Sequence, residues 1–183
     1  MTQDVVDLIL NDHRELERHF DTLLSHPETR PTLVPVMTAL LTAHSRAEEG
    51  EVYPAARDAG AREDVEHSQK EHLAADRIAE RLAQTDPDSD DFTSVLKELV
   101  DAVRHHIEEE EETVLPDIRK LMDDARRDEL AQAFLDSREA HLGEQPGDAT
   151  KADLEQQAAN VDVPVAGRTK QELAEALEDD AEL

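Results

Sequence analysis

Apolar residues recur along this chain with the period of a helix. Between residues 4 and 24 they fall at Val6, Ile9, Leu10, Leu16, Phe20, Leu23 and Leu24, a three-and-four spacing that puts one face inward. His13 lies in the same stripe. A second helix is expected over 32–57, with Leu33, Val36, Met37, Leu40 and Leu41 followed in register by His44, Ala47, Glu48, Val52 and Ala55. Pro35 falls in its first turn, where proline is tolerated, and Pro54 implies a kink or an early stop. A third helix, over 62–83, turns Val65, Ser68, His72, Ala75, Ile78, Ala79 and Leu82 inward. A fourth, over 91–122, carries Phe92, Val95, Leu96, Leu99, Val103, His106, Glu110, Val114, Ile118 and Leu121, interrupted by Pro116. Proline, glycine and Asp/Ser clusters at 25–31, 60 and 85–91 mark the loops.

Four such helices joined by short loops describe an all-α, up-down-up-down four-helix bundle over residues 1–124. A fifth helix over 126–142, with Leu130, Phe134 and Leu135 apolar, packs across the bundle or extends from it, and a Gly/Pro linker closes this added segment at 149. Residues 150–183 form a small tail module: a short helix (152–159), an extended VDVPVAGR, a second helix (170–177) and an acidic end.

Composition narrows the function. The formal charge of −27 repels nucleic-acid phosphates and anionic membranes, so neither is an expected partner. With no cysteine, disulfides, thiolate catalysis and iron–sulfur clusters are excluded, and any metal must be held by histidine and carboxylate. The N-terminal segment has no basic region and only a short apolar run, so neither a signal peptide nor a membrane span is expected, and the location reads as cytoplasmic.

The candidate chemistry lies in a repeated cassette. His44–Pro54 reads HSRAEEGEVYP and His106–Pro116 reads HIEEEEETVLP: in both, a Glu follows the His by four residues and a Pro follows that Glu by six. His13 precedes the first cassette and His72 the second, so a His-bearing helix followed by a cassette-bearing helix occurs twice. Residues i and i+4 share a helix face. His13, His44, Glu48, His72, His106 and Glu110 therefore converge from four helices on one interior volume. Two buried carboxylates demand compensation, and two divalent cations supply it. Imidazole with carboxylate suits iron, zinc, copper or nickel, and four His with two bridging Glu leave open coordination positions for a small ligand.

This pattern resembles the hemerythrin-like (HHE cation-binding) family over about residues 1–122. The resemblance implies two iron ions held as a non-haem di-iron centre by His13, His44, Glu48, His72, His106 and Glu110, with the two Glu bridging and an oxo or hydroxo bridge between the irons. It implies a protein that binds or senses O2, nitric oxide or peroxide. The alternatives are a peroxide-decomposing, catalase-like enzyme and an iron-handling or stress-response protein without catalysis. The family's oxygen carriers have a fifth His one turn before the third-helix ligand. Ser68 stands there instead, with His67 beside it as a substitute only if the helix is distorted, and this favours sensing, peroxide or iron handling over oxygen carriage. Tyr53, the sole tyrosine, lies one turn past Glu48 and is the candidate catalytic side chain, against plain packing at the bundle end. His67 with Glu71 and His105 with Glu109 read as chance spacings, and Glu49, Glu51, Glu109, Glu111 and Glu112 as solvated faces. The tail resembles the helix–extended–helix motif of SAP-like modules and of the N-terminal domain of transcription terminator Rho. With ten acids and three bases over 148–183, it reads as a protein-docking or structural piece, not a nucleic-acid one.

Overall fold

The computed structural model describes residues 3–181; Glu182 and Leu183, the end of the acidic tail, lie outside the described residues. Among the described residues the chain is all-helical. The bundle is built from α1 (Val5–Ser25), α2 (Arg30–Ala47) continued by α3 (Tyr53–Ala59), α4 (Arg62–Gln84), and α5 (Asp90–Glu112) continued by α6 (Val114–Leu121). At the head of α1 a side chain satisfies a free N–H group: Asp4 accepts from the Val6 amide. Gly60, at φ 120°, ends α3 in a conformation an L side chain rarely adopts.

The apolar stripes meet in two clusters with a polar layer between them. One cluster gathers Ile9, Val52, Tyr53, Val65, Val114 and Ile118. The other gathers Leu16, Phe20, Met37, Leu41, Ala79, Leu99 and Val103. Along each helix the chain passes from one cluster through a histidine to the other, and the direction alternates from helix to helix, as up-down-up-down topology requires.

Two stripe positions depart from expectation. Val36 is 48% exposed and Leu121 44%. In α2 the buried row is Val34, Met37, Thr38 and Leu41, one residue round from the expected start, and Leu121 is the last residue of α6.

Each cassette helix is split in two just ahead of the proline expected to interrupt it. Proline lacks the N–H that an α-helix needs for the carbonyl four residues back. Ahead of Pro54 the chain widens into one turn of π-helix, Glu48–Val52, in which the Tyr53 amide donates to the Glu48 carbonyl. Ahead of Pro116 the helix ends at Glu112 and restarts at Val114, with Thr113 at φ −121°, ψ −78° as the pivot.

The fifth helix, α7 (Asp124–His141), lies along α1 and α2 and does not project from the bundle: Phe134 is fully buried, and Arg138 Nε sits 2.8 Å from Asp12 Oδ2. The tail forms α8 (Lys151–Asn160), opened by a Thr150–Asp153 capping box, and α9 (Lys170–Ala181). Leu154, Ala158, Val161, Leu173 and Leu177 close a third apolar cluster against Leu73 of α4. The tail is thus packed on the bundle.

Candidate metal centre

The polar layer holds all six residues picked out by the cassettes. His13 and Glu48 are fully buried, as is Glu110, and His44, His72 and His106 are at most 5% exposed. The histidines form two pairs. His13 and His44 stand edge to face with ring centroids 5.1 Å apart, and His72 and His106 do the same at 4.5 Å.

The carboxylates interleave the pairs. Glu48 Oε2 lies 3.3 Å from His44 Nε2 and 3.4 Å from His72 Nε2. Glu110 Oε2 lies 3.3 Å from His13 Nε2 and 3.9 Å from His106 Nε2. Each glutamate therefore touches one histidine of each pair, as a carboxylate bridging two cations must. The inward atoms His13 Nε2, His44 Nε2, both Glu48 oxygens and Glu110 Oε2 are buried without a hydrogen-bond partner. Orphaned buried polar atoms are costly and uncommon. Here they concentrate at one point and are all donor atoms for a cation, so the residues present fit a metal. Two sets, His13–His44–Glu48 and Glu48–His72–His106, already hold their ligand atoms within 4.8 Å of one another and share Glu48.

Every outward nitrogen is also held. Nδ1 of His13 faces Glu111 at 3.0 Å, that of His44 Asp12 at 3.3 Å, that of His72 Glu49 at 3.3 Å and that of His106 Glu71 at 3.0 Å. Carboxylates placed this way fix ring orientation and keep Nε2 pointed inward. Burial pulls the His44 imidazole down, but the nearby Glu48 charge and the Asp12 hydrogen bond outweigh it and hold the group up at about 10. His72 is likewise raised to about 10 against burial by Glu48 and Glu49. Glu48, pushed up by burial, is pulled well below the carboxylate range by His44 and His72. Tyr53 is fully buried, and its hydroxyl donates to Glu110 Oε1 at 3.2 Å and lies 3.1 Å from His72 Nε2. Burial, then the Glu110 and Glu48 charges, push its phenol well up, so it remains a neutral donor.

Glu49, expected on a solvated face, is 2% exposed. Its Oε1 accepts from Gln69 at 2.8 Å, and its Oε2 from Arg46 at 2.7 Å and Gln157 at 3.0 Å. The reason is local. In the π turn the Tyr53 amide is taken by Glu48, and the next residue in that register, Pro54, has no N–H for the Glu49 carbonyl. Asn160 of α8 supplies the missing donor at 3.0 Å and also donates to Gln69 Oε1 at 2.8 Å. Gln157 and Asn160, which sequence patterning gave no reason to single out, thus tie the tail to the carboxylate that orients His72. Asn160→Ala leaves two buried acceptors unpaired. It is expected to lower stability by about 1–3 kcal/mol, read from a shifted denaturant midpoint at unchanged slope.

The model of the hemerythrin HHE cation-binding domain matches residues 4–118 of this chain. The chain belongs to that family. The match spans α1 to Ile118 of α6, including all six residues of the polar layer, and stops before α7 and the tail. Among curated proteins, the hemerythrin-like chain is similar to a DNA nickase of Nostoc sp., 26% identical over 133 residues, or 72% of this chain. It spans 38% of that relative's length. No solved structure matches. No helix among the described residues is long and apolar enough to cross a membrane.

Other histidines fall outside the layer. His67 does not supply a fifth nitrogen: its side chain is 59% exposed, on the outer face of α4, while Ser68 is buried. His26 is exposed, and His19 and His141 are half-buried. The His105 side chain is 61% exposed.

Proposed function

We propose that this hemerythrin-like chain holds two iron ions between its helices and uses them to bind or sense O2, nitric oxide or peroxide. The observation that carries the reading is the interleaving of Glu48 and Glu110 between two histidine pairs. In this reading His13 and His44 would hold one ion and His72 and His106 the other, with Glu48 and Glu110 supplying carboxylate oxygens to the pair. Bound there, a pair of irons supplies a redox couple and open coordination positions.

The protein's own part is selection and proton placement. A cavity of about 10 Å³ adjoins the four histidines, walled by Leu16, Leu41, Ser45, Ala75, Val103 and Ile107. That is room for about one water, so the walls admit a ligand of two or three atoms and refuse an organic substrate. Tyr53 offers a neutral hydroxyl at the layer, held toward it by Glu110.

That hydroxyl favours peroxide decomposition as the second reading, two peroxides giving two waters and one O2 with Tyr53 handling a proton. Purified chain is expected to carry about two irons and an optical spectrum that differs under nitrogen, air and peroxide. Folded protein lacking bound metal, or holding zinc alone, would sink both readings. If peroxide is the substrate, Tyr53→Phe is expected to slow oxygen evolution by about 10²-fold at unchanged iron content. An unchanged rate leaves ligand binding or sensing as the function.

A DNA-directed role, which the nickase relative's name raises, is disfavoured by the charge of −27. The match covers 38% of that relative, so its activity has ample chain of its own in which to reside. Partner docking through the tail is disfavoured too, because Gln157 and Asn160 are spent inside the chain.

A further inference from the structure

Two His–Glu pairs with the i,i+4 spacing of the cassettes lie on the outside of the bundle. His67 and Glu71 are one turn apart on α4, and His105 and Glu109 one turn apart on α5. Because the two helices run antiparallel, the pairs meet crosswise, each histidine opposite the other helix's glutamate. His67 Nε2 lies 2.6 Å from Glu109 Oε2 and 3.7 Å from Glu71 Oε1. His105 Nε2 lies 3.5 Å from Glu71 Oε1 and 3.2 Å from Glu109 Oε1. A tetrahedral ion with bonds of about 2.1 Å sets its ligand atoms about 3.4 Å apart, and three of the four separations fall close to that edge.

The geometry points to a second, surface site for one divalent first-row cation such as Zn²⁺ or Fe²⁺, held by His67, Glu71 and Glu109 with His105 as the fourth ligand. The ligand atoms of His67, Glu71 and Glu109 already lie within 4.8 Å of one another. The His105 ring, 61% exposed, is free to turn in and close the set. Two imidazoles with two carboxylates suit a borderline ion better than Ca²⁺ or Mg²⁺, which prefer oxygen alone. The excess of 46 acids over 19 bases raises the cation concentration at the surface.

The site is joined to the interior. The other oxygen of Glu71, Oε2, faces His106 Nδ1 at 3.0 Å. A cation outside is thus one carboxylate away from a histidine of the buried layer.

The test is calorimetric titration of the purified, iron-loaded chain with ZnCl2 at neutral pH, with iron measured before and after. Wild type is expected to take up one saturable equivalent more than a His67→Gln/His105→Gln chain, whose affinity at this site falls by roughly tenfold or more. Circular dichroism and iron content should be the same in both, because neither side chain enters the buried layer. A Glu109→Gln chain, which keeps both histidines, should show the same loss. The idea fails if wild type takes no extra equivalent, or if the double variant binds it as tightly. The comparison does not depend on the buried centre. Should the purified chain prove free of iron, wild type must still exceed the variant by one zinc.

Discussion

Purified with Glu48 changed to Gln, the chain is expected to keep its helices and lose its metal. Glu48 is fully buried and contacts a histidine of each pair, yet neither of its oxygens has a hydrogen-bond partner. Gln has nearly the same shape, so the core around it stays filled. What it lacks is the charge that balances a cation and the second oxygen that joins the pairs. Replacing even an outer-shell partner costs metal sites about 10–100-fold in affinity. Losing a bridging ligand is expected to cost more than that, taking bound metal from about two ions per chain toward none.

Metal analysis beside circular dichroism decides it. His44 keeps Asp12 on its outer nitrogen, so a helical, metal-free variant is the anticipated result. Glu112→Gln is the matched control: it removes one charge at an exposed position and should leave metal content alone. A Glu48→Gln chain that retains both ions at wild-type affinity would mean that Glu48 does not bridge. Equal loss in the control would mean that bulk negative charge, and not ligation, holds the metal.

The layer was legible because its residues obey two periods at once. His44 with Glu48 and His106 with Glu110 repeat at i,i+4, and each falls on an apolar stripe that has to face inward. The rest of the centre obeys no local period. Glu49 follows Glu48 directly, and in a run reading EEGE an acid beside a buried acid lies round the helix, toward water. It is buried because α8 covers that face, and α8 comes from a segment more than a hundred residues away. One clue was available. Pro54 leaves a carbonyl without its helical donor, and such a carbonyl needs a partner from elsewhere, though only the fold could say that it is Asn160. The crosswise meeting of His67, Glu71, His105 and Glu109 was hidden for a similar reason. Each pair alone is indistinguishable from chance in a chain so rich in acid, and the register between α4 and α5 is what makes them one group.

Glu49→Leu is expected to cost about 3–5 kcal/mol in the metal-free protein, because it strands a buried charge. Arg46 is 4% exposed, and its guanidinium reaches Glu49 Oε2 at 2.7 Å and Asp76 Oδ2 at 3.1 Å. Burial drives the Glu49 carboxyl up, but Arg46, and after it His72 and Gln69, bring it down to about 2. An unfolded glutamate titrates near 4.3, so this contribution is complete above that value and fades only as the pH falls toward 2. The penalty should therefore be the same at pH 5 as at pH 7, and the midpoint of thermal unfolding should drop by roughly 10 °C. Removing both charges, as Arg46→Met with Glu49→Leu, is expected to recover part of the loss, since the Arg46 charge is no longer stranded although Asp76 loses the guanidinium it faces. Metal affinity should not recover with it. His72 Nδ1 still lacks its carboxylate, and a loss of about 10–100-fold is expected to persist in the double variant. Stability restored while metal binding stays weak separates what Glu49 does for the fold from what it does for the centre. A single variant that costs less than about 1 kcal/mol, the scale of an exposed ion pair, would mean that the Arg46 charge finds water or Asp76 without help from Glu49.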